Sequence, residues 1–236
     1  MSTGLEALLL DAVGTVLRLR EPAAGVYVRV GARFGEVRTR EAVARALAAA
    51  RIAPPALEGV ALAEVPARER AGWREIVRAA LGNRAADGPC FDALFAEFAR
   101  PAVWELVPGV QAALAAARAF GLRCAVVSNM DTRLPGLLAG LGLAEALNAV
   151  VLPSTCGFAK PDPRIFAHAL TQLGVAAEAA LYVGDREPDC VAAARAAGLR
   201  AWRLDLAAPR TAANVLSGWA ELEPRLAGFA HASRSG

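Results

Sequence analysis

The sequence predicts an α/β protein, a parallel sheet with helices on both faces and one long all-helical insertion. Three observations predict it. Short apolar, β-branched runs recur along the chain, each ending in a polar or glycine signal. Helical patterns alternate with the later runs, as crossovers between parallel strands require. The interval between the first and second runs, residues 17–104, holds several helical patterns and no clear strand.

The runs are LEALLLDA (5–12), CAVVSN (124–129), AVVLPS (149–154) and ALYVGD (180–185), with a weaker fifth, RAWRLD (200–205). Each is too short for a buried helix. Between the later ones lie GVQAALAAARAFG, TRLPGLLAGLGL, DPRIFAHALTQLG and PDCVAAARAAG, read as helices. Inside 17–104, TREAVARALAAARI and PARERAGWREIVRAALG read as helices, broken by APPALEG (53–59) and GNRAADGP (82–89). Residues 1–16 and 105–236 therefore make one α/β core, and 17–104 a helical cap. The tail HASRSG is expected to be disordered.

Of the 236 residues, 56% are hydrophobic, enough for a sizeable core. The net charge is +3 and the basic residues are scattered, which argues against nucleic acid and anionic membrane as partners. No apolar run reaches about 18 residues without a charge, and the N-terminus lacks a basic leader. Four cysteines without a C-x-x-C spacing, and two histidines, make zinc improbable. A reduced, cytoplasmic protein is expected.

In a parallel sheet the C-terminal strand ends share one edge, where ligands bind. The first run ends on Asp11, the second on Ser128 and Asn129, the fourth on Gly184 and Asp185. Asp11 is a candidate nucleophile or metal ligand, since carboxylates form aspartyl-phosphate intermediates. The alternative is a solvated turn carboxylate. Gly14 and Thr15 fit a tight turn whose N–H groups face an anion. Ser128 and Asn129 precede a helix expected near Thr132 and suit a phosphate oxygen; Asp131 reads as that helix's N-cap. Lys160 is the only lysine among 26 basic residues, a compact point charge kept where arginine is otherwise used. Asp185 and Asp189, joined by Asp11, would build an oxygen-rich site of the kind Mg²⁺ prefers, unless Asp189 only caps the next helix. His168, within a helical pattern, and His231, in the tail, are poor acid–base candidates.

Together these residues resemble the haloacid dehalogenase (HAD) superfamily, in order and along the whole chain: D-A-V-G-T at Asp11–Thr15, S-N at Ser128–Asn129, K-P at Lys160–Pro161 and G-D-x-x-x-D at Gly184–Asp189. The resemblance implies a Rossmannoid core with a C1-type helical cap. It implies that Asp11 attacks phosphorus and forms a phosphoaspartyl intermediate on a small phosphorylated or otherwise anionic substrate. Mg²⁺ would be held by Asp11, Asp185, Asp189 and the carbonyl of Val13, while Lys160, Ser128, Asn129 and Thr15 serve the phosphoryl group.

One position departs from the pattern. Phosphatases of the family carry a second Asp two residues after the nucleophile, and here Val13 stands there. Loss of a general acid–base commonly costs about 10²–10⁴-fold. Three readings follow: a Mg²⁺-dependent phosphatase, slow or confined to good leaving groups; a weakened scaffold that binds or regulates; and a 2-haloacid dehalogenase, which needs no leaving-group acid but also no metal motif. A phosphonatase is set aside because its chemistry needs a cap lysine and 17–104 has none. Arg18, Arg20, Arg29 and Arg33 could meet an anionic substrate or simply be solvated. Tyr27, Trp73 and Trp104 read as cap core, Arg186 as pairing with a neighbouring acid, and cap movement over the strand ends as the step that excludes water.

Overall fold

The computed structural model of the chain describes residues 4–50, 57, 59–209 and 214–232. The first strand, β1 (Ala7–Leu10), is fully buried. Its side chains alternate, as the strand period requires: Ala7 and Leu9 join one apolar cluster and Leu8 and Leu10 another. A continuous apolar run is thus explained by burial on both faces.

Beyond a tight turn the chain forms β2 (Leu17–Leu19), which returns much later as β3 (Trp104–Leu106). The two pair antiparallel, Leu17 opposite Leu106 and Leu19 opposite Trp104. This corrects the expectation of no strand within 17–104. The ribbon is only three residues deep, and Arg18 interrupts its apolar character, so alternation could not reveal it.

Between β2 and β3 the regular elements are helices, chiefly α1 (Ala23–Ala32), α2 (Arg40–Ala49), α3 (Val65–Leu81), α4 (Asn83–Asp87) and α5 (Pro89–Glu97). Thr39 starts α2 by accepting the Ala42 N–H. Their shared core is aromatic: the Phe98 ring lies 5.7 Å from Tyr27, 6.1 Å from Trp73 and 6.5 Å from Trp104. The Trp104 indole donates to the Phe98 carbonyl. All three aromatics read as core from the sequence pack as core.

The remaining elements are α6 (Val110–Ala119), β4 (Arg123–Val127), α7 (Leu134–Gly140), β5 (Ala149–Val151), α8 (Pro153–Cys156), α9 (Pro163–Leu173), β6 (Ala180–Gly184), α10 (Ala192–Ala196), β7 (Arg200–Leu204), β8 (Val215–Leu216) and α11 (Leu222–Ala232). The five expected strands are all present, and β8 adds a sixth. They form one parallel sheet in the order β5-β4-β1-β6-β7-β8. From β1 the chain builds outward to β4 and β5, then crosses to β6 on the other side. The order reverses at β1, which makes the crevice beyond Leu10 the ligand position of such a sheet. A π-helical turn, Glu187–Val191, precedes α10. His231 and Ala232 close α11 rather than opening a tail; residues 233–236 lie outside the described residues. Among the described residues no helix is long and apolar enough to cross a membrane.

Candidate functional site

Asp11 directly follows β1 and is held in the sheet by its own N–H, which donates to the Val183 carbonyl at 2.8 Å. The chain then folds sharply. Ala12 N–H donates to Asp11 Oδ1, Gly14 N–H to the Leu17 carbonyl and Thr15 N–H to the Ala12 carbonyl. The anion-facing amides expected of Gly14 and Thr15 are therefore absent, because the turn itself uses both. Gly14 has φ +87°, and a Cβ there would fall 2.3 Å from Asp185 Oδ2. The turn needs glycine twice over, for its conformation and for the approach of that carboxylate.

Lys160 is among the most buried side chains of the protein. Its Nζ donates to Asp11 Oδ1 at 2.7 Å and to the Tyr182 hydroxyl at 3.0 Å. The Cys190 thiol is a further hydrogen-bond partner of this ammonium. The buried pair is compensated by these contacts and by the Ala12 amide. Asn129 reaches this lysine from β4: its Nδ2 donates to the Lys160 carbonyl at 2.8 Å and its Oδ1 accepts the Lys160 N–H at 2.7 Å. The sequence reading placed Asn129 on phosphate. Its amide clamps the lysine's backbone across a 31-residue separation and so positions Lys160, with a second Nδ2 hydrogen still free to donate. The Lys160–Pro161 bond is cis.

Asp185 follows β6. Burial, and then the negative charge of Asp11, push its carboxyl above the usual range. Thr15 Oγ1 lies 3.5 Å from Asp185 Oδ1. Thr15 thus stands against the second carboxylate, and its carbonyl accepts the buried Trp219 indole N–H at 3.0 Å. Asp11 and Asp185 form the convergence of acids that the strand ends suggested. The Asp189 backbone lies in the π-helical turn; its side chain is outside the described residues. Among the described residues no three His, Cys, Asp or Glu side chains cluster as a metal cage.

Ser128 is buried at the end of β4, and its Oγ accepts the Met130 N–H, leaving its own O–H to donate. The helix expected near Thr132 begins at Leu134. Asp131 accepts the Arg133 N–H, tying the turn before α7, and both its oxygens pair with the Arg133 guanidinium. Arg133 then crosses to the inserted helices: it donates to the Phe95 carbonyl and its guanidinium lies over the Phe95 and Trp73 rings.

Other candidates fall elsewhere. Arg18 and Arg20 pair with Glu105, and Arg29 with Glu21 and Glu97. Arg33 is exposed. Arg186 acts on Asp185, as its neighbouring charge suggested. His168 meets Gln172 on the surface of α9. Val13 is 43% exposed, an apolar side chain left open beside the site.

Two site residues were missed in the sequence. Tyr182 is wholly buried in β6 with its hydroxyl on Lys160, and burial pushes its phenol well above the ordinary value. Cys190 Sγ lies 3.6 Å from Asp11 Oδ2, its thiol pushed up to about 11 by burial and the Asp11 charge. The only signal for Tyr182 was a hydroxyl in an otherwise apolar strand. Cys190 gave none.

A parallel sheet with a buried aspartate–lysine pair at its switch point, and a second carboxylate beside the pair, defines an α/β protein whose site is centred on a carboxylate. The chain belongs to the haloacid dehalogenase-like hydrolase family, whose model matches residues 5–198. It is 37% identical over 121 residues to human haloacid dehalogenase-like hydrolase domain-containing protein 3, covering 49% of this chain and 48% of that protein. To a Thermus thermophilus phosphoserine phosphatase it is 39% identical over 160 residues, covering 66% and 61%. The chain thus spans between about half and three-fifths of the length of these curated relatives. Among solved structures, a Deinococcus radiodurans HAD family hydrolase with bound phosphate and sodium superposes with a TM-score of 0.63 at 26% identity over 97% of both chains. A defluorinating L-2-haloacid dehalogenase superposes at 0.72 with 19% identity over 94% and 95%, a likeness of fold.

Proposed function

We propose that this HAD-family hydrolase is a phosphatase in which Asp11 is the nucleophile, acting on a small phosphorylated substrate. The observation that carries the reading is the buried Lys160–Asp11 pair with Asp185 against it. Lys160 Nζ and Ala12 N–H hold Asp11 Oδ1, which leaves Oδ2, with the Cys190 thiol 3.6 Å away, as the oxygen for attack. The Lys160 ammonium charge and the Ser128 hydroxyl face the phosphoryl oxygens, neutralising charge where it develops. The phosphoryl group passes to Asp11 as the P–O bond to the leaving group breaks, the leaving oxygen takes its proton from water because Val13 supplies none, and a second water cleaves the acyl phosphate to free Asp11 and phosphate. Phosphatases among the relatives, including the Thermus phosphoserine phosphatase, agree with this class of reaction.

The Asp185 carboxyl, pushed up by burial and then by the Asp11 charge, stands with Asp11 as a pair of carboxylates that fits a hard divalent cation, Mg²⁺ above all. Asp11 and Asp185 would hold it, with Asp189 and the Val13 carbonyl completing the set. When bound, the cation shields the repulsion between Asp11 and the phosphoryl group.

The helices between β2 and β3 act in this reading as a cap over the strand ends, with boundaries at 17 and 104. The Arg133 contacts to Phe95 and Trp73, and the packing of α3 on α8, support that placement. The four free thiols fit a reducing, cytoplasmic setting. Val13 favours a second reading, a scaffold that binds phosphate esters without turning them over. Phosphate release from phosphoesters and acyl phosphates, with Mg²⁺, with EDTA and with Asp11→Asn, separates the two. Mg²⁺-dependent release lost in Asp11→Asn supports the phosphatase; binding without release supports the second reading.

A further inference from the structure

On α3 of the insertion, Glu69 is only 7% exposed and neither of its carboxyl oxygens has a hydrogen-bond partner. A buried polar group left unpaired is costly, and such groups in folded proteins call for an explanation. Glu69 faces the β4–α7 loop. The charges acting on it are those of Asp131 and Arg133, and the Thr132 backbone N–H faces it without closing a bond to either oxygen.

That loop starts at Ser128. Three residues separate Ser128 from Asp131, a reach of at most about 11 Å. The same helix packs on α8, which leads into the segment carrying Lys160. Glu69 therefore stands beside the loop that begins at Ser128, on a helix that packs against the element leading to Lys160. Asp131 is already paired with Arg133, so the local balance is one unmatched carboxyl.

We infer that Glu69 is a specificity-determining residue that selects phosphate esters whose leaving group carries an ammonium. The inference rests on the phosphatase reading above and names its substrate class. Bound there, an ammonium donates to the Glu69 oxygens and matches their charge. A leaving group ending in a carboxylate meets repulsion from Glu69 and Asp131, and an alkyl group leaves the carboxyl unpaired. A site built to hydrogen-bond a donor rejects analogues lacking it, because its own polar groups stay unsatisfied.

The test compares aminoethyl phosphate, ethyl phosphate and phosphoglycolate, which share the reacting group and end in an ammonium, a methyl and a carboxylate. With Mg²⁺, the native protein should show the highest kcat/KM for aminoethyl phosphate. Glu69→Gln, nearly isosteric, should lower that value about tenfold or more and so erase the preference for aminoethyl over ethyl phosphate. Equal losses on all three esters, or a native preference for the carboxylate, would overturn the inference. A second readout needs no turnover: calorimetric binding of the same esters to Asp11→Asn and to Asp11→Asn/Glu69→Gln. If no ester is hydrolysed, the phosphatase reading fails. Tighter binding of aminoethyl phosphate that Glu69→Gln abolishes still supports the assignment, and binding indifferent to Glu69 refutes it.

Discussion

Lys160 Nζ sits 2.7 Å from Asp11 Oδ1 although 149 residues separate the two, and both side chains are closed to solvent. The one lysine of the chain thus holds the carboxylate at the sheet's switch point. Removing it leaves a buried charge without its partner. Lys160→Met should therefore cost about 3–5 kcal/mol in urea unfolding at pH 7 and abolish turnover. Lys160→Arg keeps the charge but must fit a planar fork between Asp11 and Tyr182, and turnover should fall about a hundredfold. Full activity in the arginine variant would show that any cation suffices there.

Tyr182 lends its hydroxyl to that lysine, whose Nζ also lies 5.6 Å from the ring centroid, and the ring packs edge-on against Phe166 at 5.2 Å. Tyr182→Phe keeps the packing and loses one hydrogen bond, worth about 1 kcal/mol. The expected outcome is a several-fold lower kcat with KM unchanged. A loss of stability with kcat intact would make the tyrosine a core residue and nothing more.

Asn129 clamps the backbone of Lys160 through both ends of its amide. Asn129→Asp keeps the acceptor for the Lys160 N–H but turns the donor into an oxygen facing the Lys160 carbonyl. It should lower kcat about tenfold or more, whereas a residue that binds phosphate directly would show the loss mainly in KM.

Gly14 admits no side chain. Gly14→Ala places a methyl group 2.3 Å from Asp185 Oδ2 at a φ of +87°. Backbone strain of this kind costs about 1–3 kcal/mol, and the displaced carboxylate should weaken Mg²⁺ binding measured by calorimetry. Unchanged Mg²⁺ affinity would remove Asp185 from the metal set.

Burial pushes the Glu69 carboxyl up to about 7, with the Asp131 charge adding to the effect. The folded protein then holds a proton that the unfolded chain releases near the ordinary Glu value. Stability linked to Glu69 is complete below about pH 4.5 and is lost as pH rises to about 7, by about 3 kcal/mol. Urea unfolding at pH 5 and pH 8 should show this loss in the native protein and not in Glu69→Gln. Parallel pH profiles would contradict it.

Much of this architecture was legible in the sequence because burial on both faces makes a strand conspicuous. LLL before Asp11 and LYV before Gly184–Asp185 are such strands, and their ends named the acids that converge. The β2–β3 ribbon was not legible, since Leu17–Leu19 pairs with residues some 87 positions away and its three residues show no period. At the site, residue type suggested which groups carry chemistry, but not what each one touches. Asn129 gave no sign in the sequence of its partner, the Lys160 backbone. Cys190 became visible only through its distance to Asp11, and Glu69 only through its unpaired oxygens.

The central claim is that Asp11 accepts a phosphoryl group. Val13, in the position where a carboxylate would activate water, gives the second half-reaction no base, so the phosphorylated protein should accumulate. The most direct measurement is mass spectrometry of the protein after acid quench from acetyl phosphate and Mg²⁺. One added phosphoryl group is expected, mapped to Asp11 and absent from Asp11→Asn. Phosphate release from the native protein with no label on Asp11 at any time, and the same release by Asp11→Asn, would contradict it.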